Sequence, residues 1–179
     1  DTVTLAYYKP IGITCTTDLK DPSNILDAIG YPQRIFPIGR LDKDSEGLIL
    51  LTNEGQLVNQ ILRAENGHEK EYLVKLHYAY DQEFIKKMSE GIKIYNPVQN
   101  EYVLTEPCVI KPIDSKTFSI ILTQGYNRQI RRMCTAWGHK VLSLKRIRIM
   151  DIRLGSLAKG QWRRLSREEL ALLKESLKG

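Results

Sequence analysis

The order of apolar and polar positions lays out most of the elements. Val3, Leu5 and Tyr7 alternate as a short strand, which Pro10 and Gly12 bring to an end. Residues 23–29 predict a short helix broken by Gly30-Tyr31-Pro32, and residues 34–38 resume as extended chain. Residues 48–51 are unbroken Leu-Ile-Leu-Leu, the pattern of a strand buried on both faces. Asn53 with Gln56 three positions on has the form of a capping box. It predicts a helix with Leu57 and Ile61, Val58 and Leu62 on one face, ending before Gly67. Tyr72, Val74, Leu76 and Tyr78 alternate as a strand; Asp81 then opens a helix carrying Phe84, Ile85 and Met88, which Gly91 stops. Strands at about residues 103–111 and 117–122 flank the turn Asp114-Ser115-Lys116. Asn127 opens a helix that Gly138 closes. Ile130, Met133, Cys134 and Trp137 gather on one side of it, and Arg128, Arg131 and Arg132 on the other, with Arg131 nearest the apolar border. A long strand region over residues 141–154 precedes a last helix with its own capping box, Ser166 and Glu169, which buries Leu170, Leu173 and Leu177. Helices interleaved with mostly hairpin-linked strands predict the α+β class.

Composition narrows this picture. The chain has 179 residues, 42% hydrophobic and 27% charged, enough for a real core in one domain or two tightly joined halves. No apolar run reaches membrane-spanning length and the first residues do not form a signal peptide, so no membrane association is expected. Cys15, Cys108 and Cys134 are odd in number and widely spaced. They fit buried inert thiols and a reducing cytoplasm better than a disulfide framework or a metal knuckle. Net charge is +6, unevenly placed: residues 125–165 hold eleven Lys and Arg against a single acid, Asp151. Such a block is either the footprint of a polyanion or a solvated basic face.

The most unusual chemistry lies in residues 39–51, where Asp42, Asp44 and Glu46 run directly into the buried strand. Carboxylates at the edge of an apolar core are costly unless paired, hydrogen-bonded or bound to metal. A calcium loop is disfavoured, because the position twelve residues into the repeat is Asn53 and not the chelating Glu. No calcium is therefore expected. A solvated turn, with Arg40 or Lys43 pairing with neighbouring acids, explains Asp44 and Glu46 but less easily an Asp beside Leu41. Catalysis is the third reading, Asp42 acting as nucleophile or general base beside a guanidinium that favours its charged form. A two-carboxylate hydrolase built on Asp42 and Asp44 also fits the spacing, though Asp44 lacks the apolar surroundings such a pair needs.

Resemblance chooses where spacing does not. Gly39-Arg40-Leu41-Asp42-Lys43-Asp44-Ser45-Glu46-Gly47-Leu48 is similar to the signature G-R-L-D-x-x-[ST]-x-G-L of the RsuA-type pseudouridine synthases. Lys9-Pro10-x-Gly12 resembles the family's opening motif, Leu51-Thr52-Asn53-x-Gly55 continues the signature, and Lys70-x-Tyr72 matches the strand that follows. Residues 124–133, with Arg128-Gln129-Ile130-Arg131, resemble its G-x-x-[RH]-Q-I-R helix, and Leu144-x-Arg146 its third motif. In character the chain is nearest the RluF-type branch, which acts on large-subunit ribosomal RNA.

The resemblance implies a pseudouridine synthase fold: a mixed, mostly antiparallel sheet in two halves with flanking helices and a central cleft. Residues 1–179 would form the catalytic domain, its two halves joined by one continuous sheet. The family's S4-like N-terminal domain is not expected, because the chain begins close to the Lys-Pro motif. Tyr8 stands where the family often has Asn, at a position read as scaffold.

The reaction implied is the isomerisation of a uridine of large-subunit (23S) ribosomal RNA to pseudouridine, with no cofactor, by a cytoplasmic monomer. The alternative is a non-catalytic RNA-binding domain that keeps the fold. Asp42 would be the essential carboxylate, Arg131 its charge partner, and Tyr72 the ring that stacks on the uracil. Leu144 would line the pocket. Arg40 would anchor the loop or a phosphate, and Lys43, Arg128, Arg132, Lys145 and Arg146 would meet RNA. The target nucleotide would have to leave its stack to be reached. The wider basic block, with Lys140, Arg148, Arg163 and Arg164, would offset that cost through phosphates.

Overall fold

The computed structural model describes residues 1–63 and 67–178, and the chain forms two compact units: Asp1–Ala64 with Lys145–Gly179, and Glu65–Leu144. The first begins with β1 (Thr4–Lys9), α1 (Ile25–Ile29), β2 (Phe36–Ile38), β3 (Glu46–Thr52) and α2 (Gly55–Arg63). The second holds β4 (Lys70–Leu76), α3 (Gln82–Glu90), β5 (Lys93–Asn96), β6 (Glu101–Leu104), β7 (Val109–Pro112), β8 (Thr117–Leu122) and α4 (Gln129–Ala136). β9 (Val141–Ile149) then takes the chain back to the first unit. There β10 (Ile152–Arg153), β11 (Trp162–Arg164) and α5 (Arg167–Ser176) complete it.

In the first unit β3 is the central strand. It pairs antiparallel with β1 along its length, parallel with β9 at Glu46 and Gly47, and antiparallel with β2 at Leu50, Leu51 and Thr52. Neither edge is left open and Leu48 to Leu51 are buried, as the unbroken apolar run requires. Ala6, Ile38, Leu48, Leu50, Leu57, Ile61, Ile149, Ile152 and Leu173 build its core. α5 carries the expected capping box, with Ser166 and Glu169 bonded reciprocally.

In the second unit β4, β8 and β7 form an antiparallel sheet, and β5 with β6 forms a separate hairpin. Val74, Leu76, Phe84, Met88, Phe118, Ile120, Met133 and Cys134 fill its core. Tyr80, Phe84 and Phe118 pack edge to face or tilted, and the Tyr80 hydroxyl donates to the Asp114 and Thr117 carbonyls. α3 has the predicted boundaries: the Asp81 side chain accepts from Phe84 N–H, and Gly91 follows the helix.

Several elements differ from expectation, each for a physical reason. Asn53 does not cap α2; its amide accepts from Val3 N–H and donates to the Asp1 carbonyl, while Thr52 Oγ1 takes the Glu54 N–H. The predicted end of that helix before Gly67 falls on residues 64–66, outside the described residues. Tyr78 lies beyond β4 and is exposed. The strand expected over 103–111 is two strands, β6 and β7, interrupted around Pro107, and β6 pairs with β5, which the pattern did not indicate. The region 141–154 reverses at Met150, whose backbone is left-handed (φ 52°), so that β10 folds back on β9. β11, paired with β1, had no predicted counterpart.

The β3–β9 contact leaves no room for a side chain at Gly47. Gly47 has φ 114°, and a Cβ built there would sit 2.3 Å from the Arg146 carbonyl oxygen and 2.7 Å from its nitrogen. Both the dihedral and the approach demand glycine. Gly47→Ala should therefore destabilise the fold by about 3 kcal/mol or more, read as a lowered midpoint in urea unfolding; an unchanged midpoint would contradict this contact.

Candidate functional site

Asp42 stands half-buried at the head of a tight turn. Ser45 N–H donates to the Asp42 carbonyl at 3.0 Å, closing the chain over the exposed Lys43 and Asp44. Two buried cations hold this turn through main-chain oxygens. Lys9, at the end of β1 and wholly inaccessible, donates from Nζ to the Pro10 and Ile13 carbonyls at 2.8 Å each, and reaches Lys43 O at 3.5 Å. Gly12 N–H donates to the same Lys43 oxygen at 2.8 Å. Burial pushes the Lys9 ammonium below the usual lysine range, and the nearby carboxylates of Asp42, Asp44 and Glu46 act against that shift.

Arg146 supplies the second brace. It is buried, its Nε donating to Leu48 O at 2.8 Å and its Nη1 to Arg40 O at 3.4 Å. This corrects the expectation of a phosphate contact: the guanidinium is turned inward and ties β9 to both flanks of the turn. Arg40 itself is exposed, with Nη1 3.4 Å from the Cys15 carbonyl, while Cys15 Sγ donates to Leu41 O. Tyr8 O–H donates to Glu46 Oε1 at 2.5 Å. Burial first, and then this bond, raise the Tyr8 phenol above the ordinary tyrosine value. Lys159 lies 3.7 Å from the same carboxylate, and Lys145 Nζ sits 5.8 Å from the Tyr8 ring centre. Tyr8 is thus part of the scaffold beside the turn.

The other expected residues belong to the second unit. Tyr72 is on β4 opposite Ile120, partly buried against the core edge, and Leu144 is buried in that core at the start of β9. α4 is entered without a side-chain cap, through Arg128 in the left-handed region (φ 50°), a conformation that costs a residue with a Cβ roughly 1–2 kcal/mol. Asn127, expected to cap the helix, instead accepts from Arg132 at both its carbonyl and its side chain, at 3.0 and 2.9 Å. Gln129 is buried; its Oε1 accepts Tyr126 N–H at 3.2 Å, and its amide reaches Gln124 Oε1 at 3.4 Å, stiffening the approach to the helix. Arg128, Arg131 and Arg132 line one cavity of about 460 Å³ with Lys93, Tyr95 and Tyr102. Burial pushes the Cys134 thiol, on the inner side of α4, up to about 12.

Much of the wider basic block is used internally. Arg163 forms a two-pronged bond with Glu169 at 2.6 and 2.8 Å, Arg164 donates to the Tyr31 hydroxyl, and the buried Arg148 donates to Met150 O. Of these three only Arg148 is buried, which turns it away from the expected phosphate contact. Lys140 is exposed. Among the described residues no group of three or more His, Cys, Asp or Glu is placed to hold a metal ion, and no helix is long and apolar enough to cross a membrane.

The first unit therefore presents a carboxylate on a braced turn, suited to act as nucleophile or base; the second presents a cationic cavity suited to an anion. Lys9 and Gly47 had been visible only as members of the matching motifs, without a role. Nothing in the sequence had marked Lys93, Tyr95 or Tyr102.

The chain is similar to known proteins over most of its length. A family model described as RNA pseudouridylate synthase matches residues 3–136. The dual-specificity RNA pseudouridine synthase RluF of Escherichia coli K12 is 49% identical over 170 residues, covering 95% of this chain and 57% of the relative. The chain thus spans less than two thirds of that protein. The ribosomal small subunit pseudouridine synthase A of Yersinia pestis is 33% identical, covering 91% of this chain and 69% of the relative. A pseudouridylate synthase of known crystal structure superposes with a TM-score of 0.85 at 31% identity, covering 97% of this chain and 74% of the other.

Replacing Lys9 by Met would leave the Pro10 and Ile13 carbonyls without their buried donor. We expect a loss of about 2–4 kcal/mol in urea unfolding, and unchanged stability would show that Lys9 does not brace the turn.

Proposed function

The chain belongs to the RNA pseudouridylate synthase family, and from that membership we propose that it isomerises a uridine of ribosomal RNA, large-subunit RNA in particular, to pseudouridine. The observation that carries the proposal is the placement of Asp42: the one carboxylate of the family signature stands at the head of a turn that Lys9, Gly12 and Arg146 hold through main-chain oxygens. The likeness to a named RluF over 95% of the chain supports the choice of substrate.

In this reading Asp42 either attacks C1′ of the ribose or removes the C2′ proton to give a glycal. Either way the N1–C1′ bond breaks with its electron pair going to the uracil. The base turns and C5 forms the new bond to C1′, which releases the Asp42 carboxylate on the first route and goes with return of the proton to C2′ on the second; the proton on C5 is then lost while N1 gains one. The sum is an exchange of one C–N bond for one C–C bond, with no oxidant, reductant or cofactor consumed. Tyr72 provides the ring against which the extruded uracil stacks, worth ~1–3 kcal/mol for base on aromatic. Arg131 serves as the counter-charge of the catalytic carboxylate, and Leu144 as an apolar wall. Arg40, Lys43, Arg128, Arg132 and Lys145 attract the RNA backbone. The protein acts as a monomer in the cytoplasm.

The test is carbodiimide mapping of ribosomal RNA fragments after incubation with the wild type and with Asp42→Asn. A new pseudouridine stop is expected with the wild type, formed at least ~100-fold more slowly by the variant. Equal stops with both proteins, or none on any ribosomal RNA, would overturn the proposal and leave a non-catalytic RNA-binding domain.

A further inference from the structure

β11 stands at the edge of the sheet in the first unit and carries a ring that the proposed chemistry does not use. It pairs with β1, Trp162 opposite Tyr7 and Arg164 opposite Leu5. Opposed residues of an antiparallel pair share a face, and alternate residues of one strand do so too. Leu5, Tyr7 and Lys9 therefore lie on one face with Trp162 and Arg164, while Ala6 and Tyr8 turn to the core on the other. Lys9 is the residue whose ammonium reaches Lys43 O in the turn headed by Asp42. Trp162 is thus on the same face as that brace, and its partner Tyr7 is two residues back from Lys9 along β1, a rise of roughly 7 Å.

The ring is held in place and left open. Tyr31, which follows α1 through the left-handed Gly30 (φ 61°), meets it edge to face at 5.0 Å and 82°. The Tyr31 hydroxyl accepts from Arg164 Nη2 at 3.1 Å, so guanidinium, phenol and indole form one connected group. Trp162 nevertheless keeps 39% of its surface exposed, and Arg164 is exposed. A tryptophan that served only the fold would be drawn further inside, since so large a ring gains much from burial. An open ring with a positioned guanidinium beside it is complementary to a base and the phosphate next to it. A duplex hides its base faces, so an unpaired strand is the occupant that uses both features. Such a strand already has to come to this part of the unit, because the reading of Asp42 brings a uridine to the turn that Lys9 supports.

We propose that Trp162, steadied by Tyr31 and flanked by Arg164, is a stacking platform for an unpaired RNA base near the target uridine, with the adjoining phosphate on Arg164. The platform rests on the RNA substrate proposed above and extends it: the first unit selects single-stranded RNA on the same face that braces its acidic turn. Trp137, the other tryptophan of the chain, belongs to the second unit and has no part in it.

The test uses the 179-residue chain carrying Trp137→Phe, which leaves Trp162 as its single tryptophan. A 12-nucleotide oligouridylate should quench the tryptophan emission in step with binding, read in parallel by fluorescence anisotropy of a labelled copy, and a 12-base-pair RNA duplex should not quench it. Single-strand binding without quenching would overturn the contact. With Trp137 in place, Trp162→Ala should weaken binding of the single strand by about 5- to 100-fold, and Trp162→Phe by no more than about threefold. Arg164→Ala should lower the slope of log affinity against log salt by about 0.7, the value for one phosphate contact to a single strand. Circular dichroism of each variant checks that the fold is kept; should Trp162→Ala lose it, the quenching decides. Equal losses on duplex and single strand would overturn base stacking. Pseudouridine mapping with the wild type separates the two readings. If it forms pseudouridine while Trp162→Ala binds the single strand undiminished, the platform is overturned and the enzymatic reading stands, leaving the ring to a protein partner. If it binds with the expected losses but isomerises nothing, the enzymatic reading falls and the platform stands on an RNA-binding domain. A wild type that neither binds nor isomerises RNA would overturn both.

Discussion

Two strands approach so closely at Gly47 and Arg146 that no side chain fits between them, and the geometry of the acidic turn descends from that approach. Parallel pairing there brings Arg146 under the turn, where its guanidinium collects the Leu48 and Arg40 carbonyls from either side of Asp42. Lys9 and Gly12 secure the opposite flank through Pro10, Ile13 and Lys43. Buried cations are expensive unless fully hydrogen-bonded. This fold meets that condition with backbone oxygens, which are fixed in place once the strands have formed. The carboxylate is thereby positioned by groups that have no freedom of their own, the kind of support a reacting side chain needs.

What the sequence made legible follows from how local each signal was. Asp81 and Ser166 cap their helices because a cap needs only its own next three residues. Residues 48–51 had to be a strand with neighbours on both sides, since nothing polar interrupts them. Asn53 looked like a cap by the same local rule, but the amide was taken by Val3, fifty positions away, and pairing with a distant strand prevailed over the local motif. The reversal at Met150 was hidden because a left-handed residue is ordinarily announced by Gly or Asn, and neither is present. α4 was placed correctly in the chain but its entrance was not, for a related reason: Arg128 takes the left-handed conformation at the expense of strain, and Asn127 serves Arg132.

The candidate site was legible in part. Asp42 stood out through charge beside an apolar run, and the matching motifs supplied the other named residues. The inward turn of Arg146 was not readable, since an arginine at an alternating position of a strand looks the same whether it meets water or a carbonyl. Charge counting misled in a similar way over residues 125–165. Arg148 and Arg163 are bonded to a carbonyl and a carboxylate of the protein itself, so the basic excess available to a partner is smaller than composition suggests.

The alternation of β5 and β6 separates two kinds of selection. Ile94 and Val103 answer to the core, and a change there is felt by the whole unit; Lys93, Tyr95, Tyr102 and Leu104 answer only to what lies outside. A lineage can therefore exchange the outward four one at a time without touching the turn that carries Asp42. The hairpin can thus change its outer character while the packed side of the same two strands stays as it is.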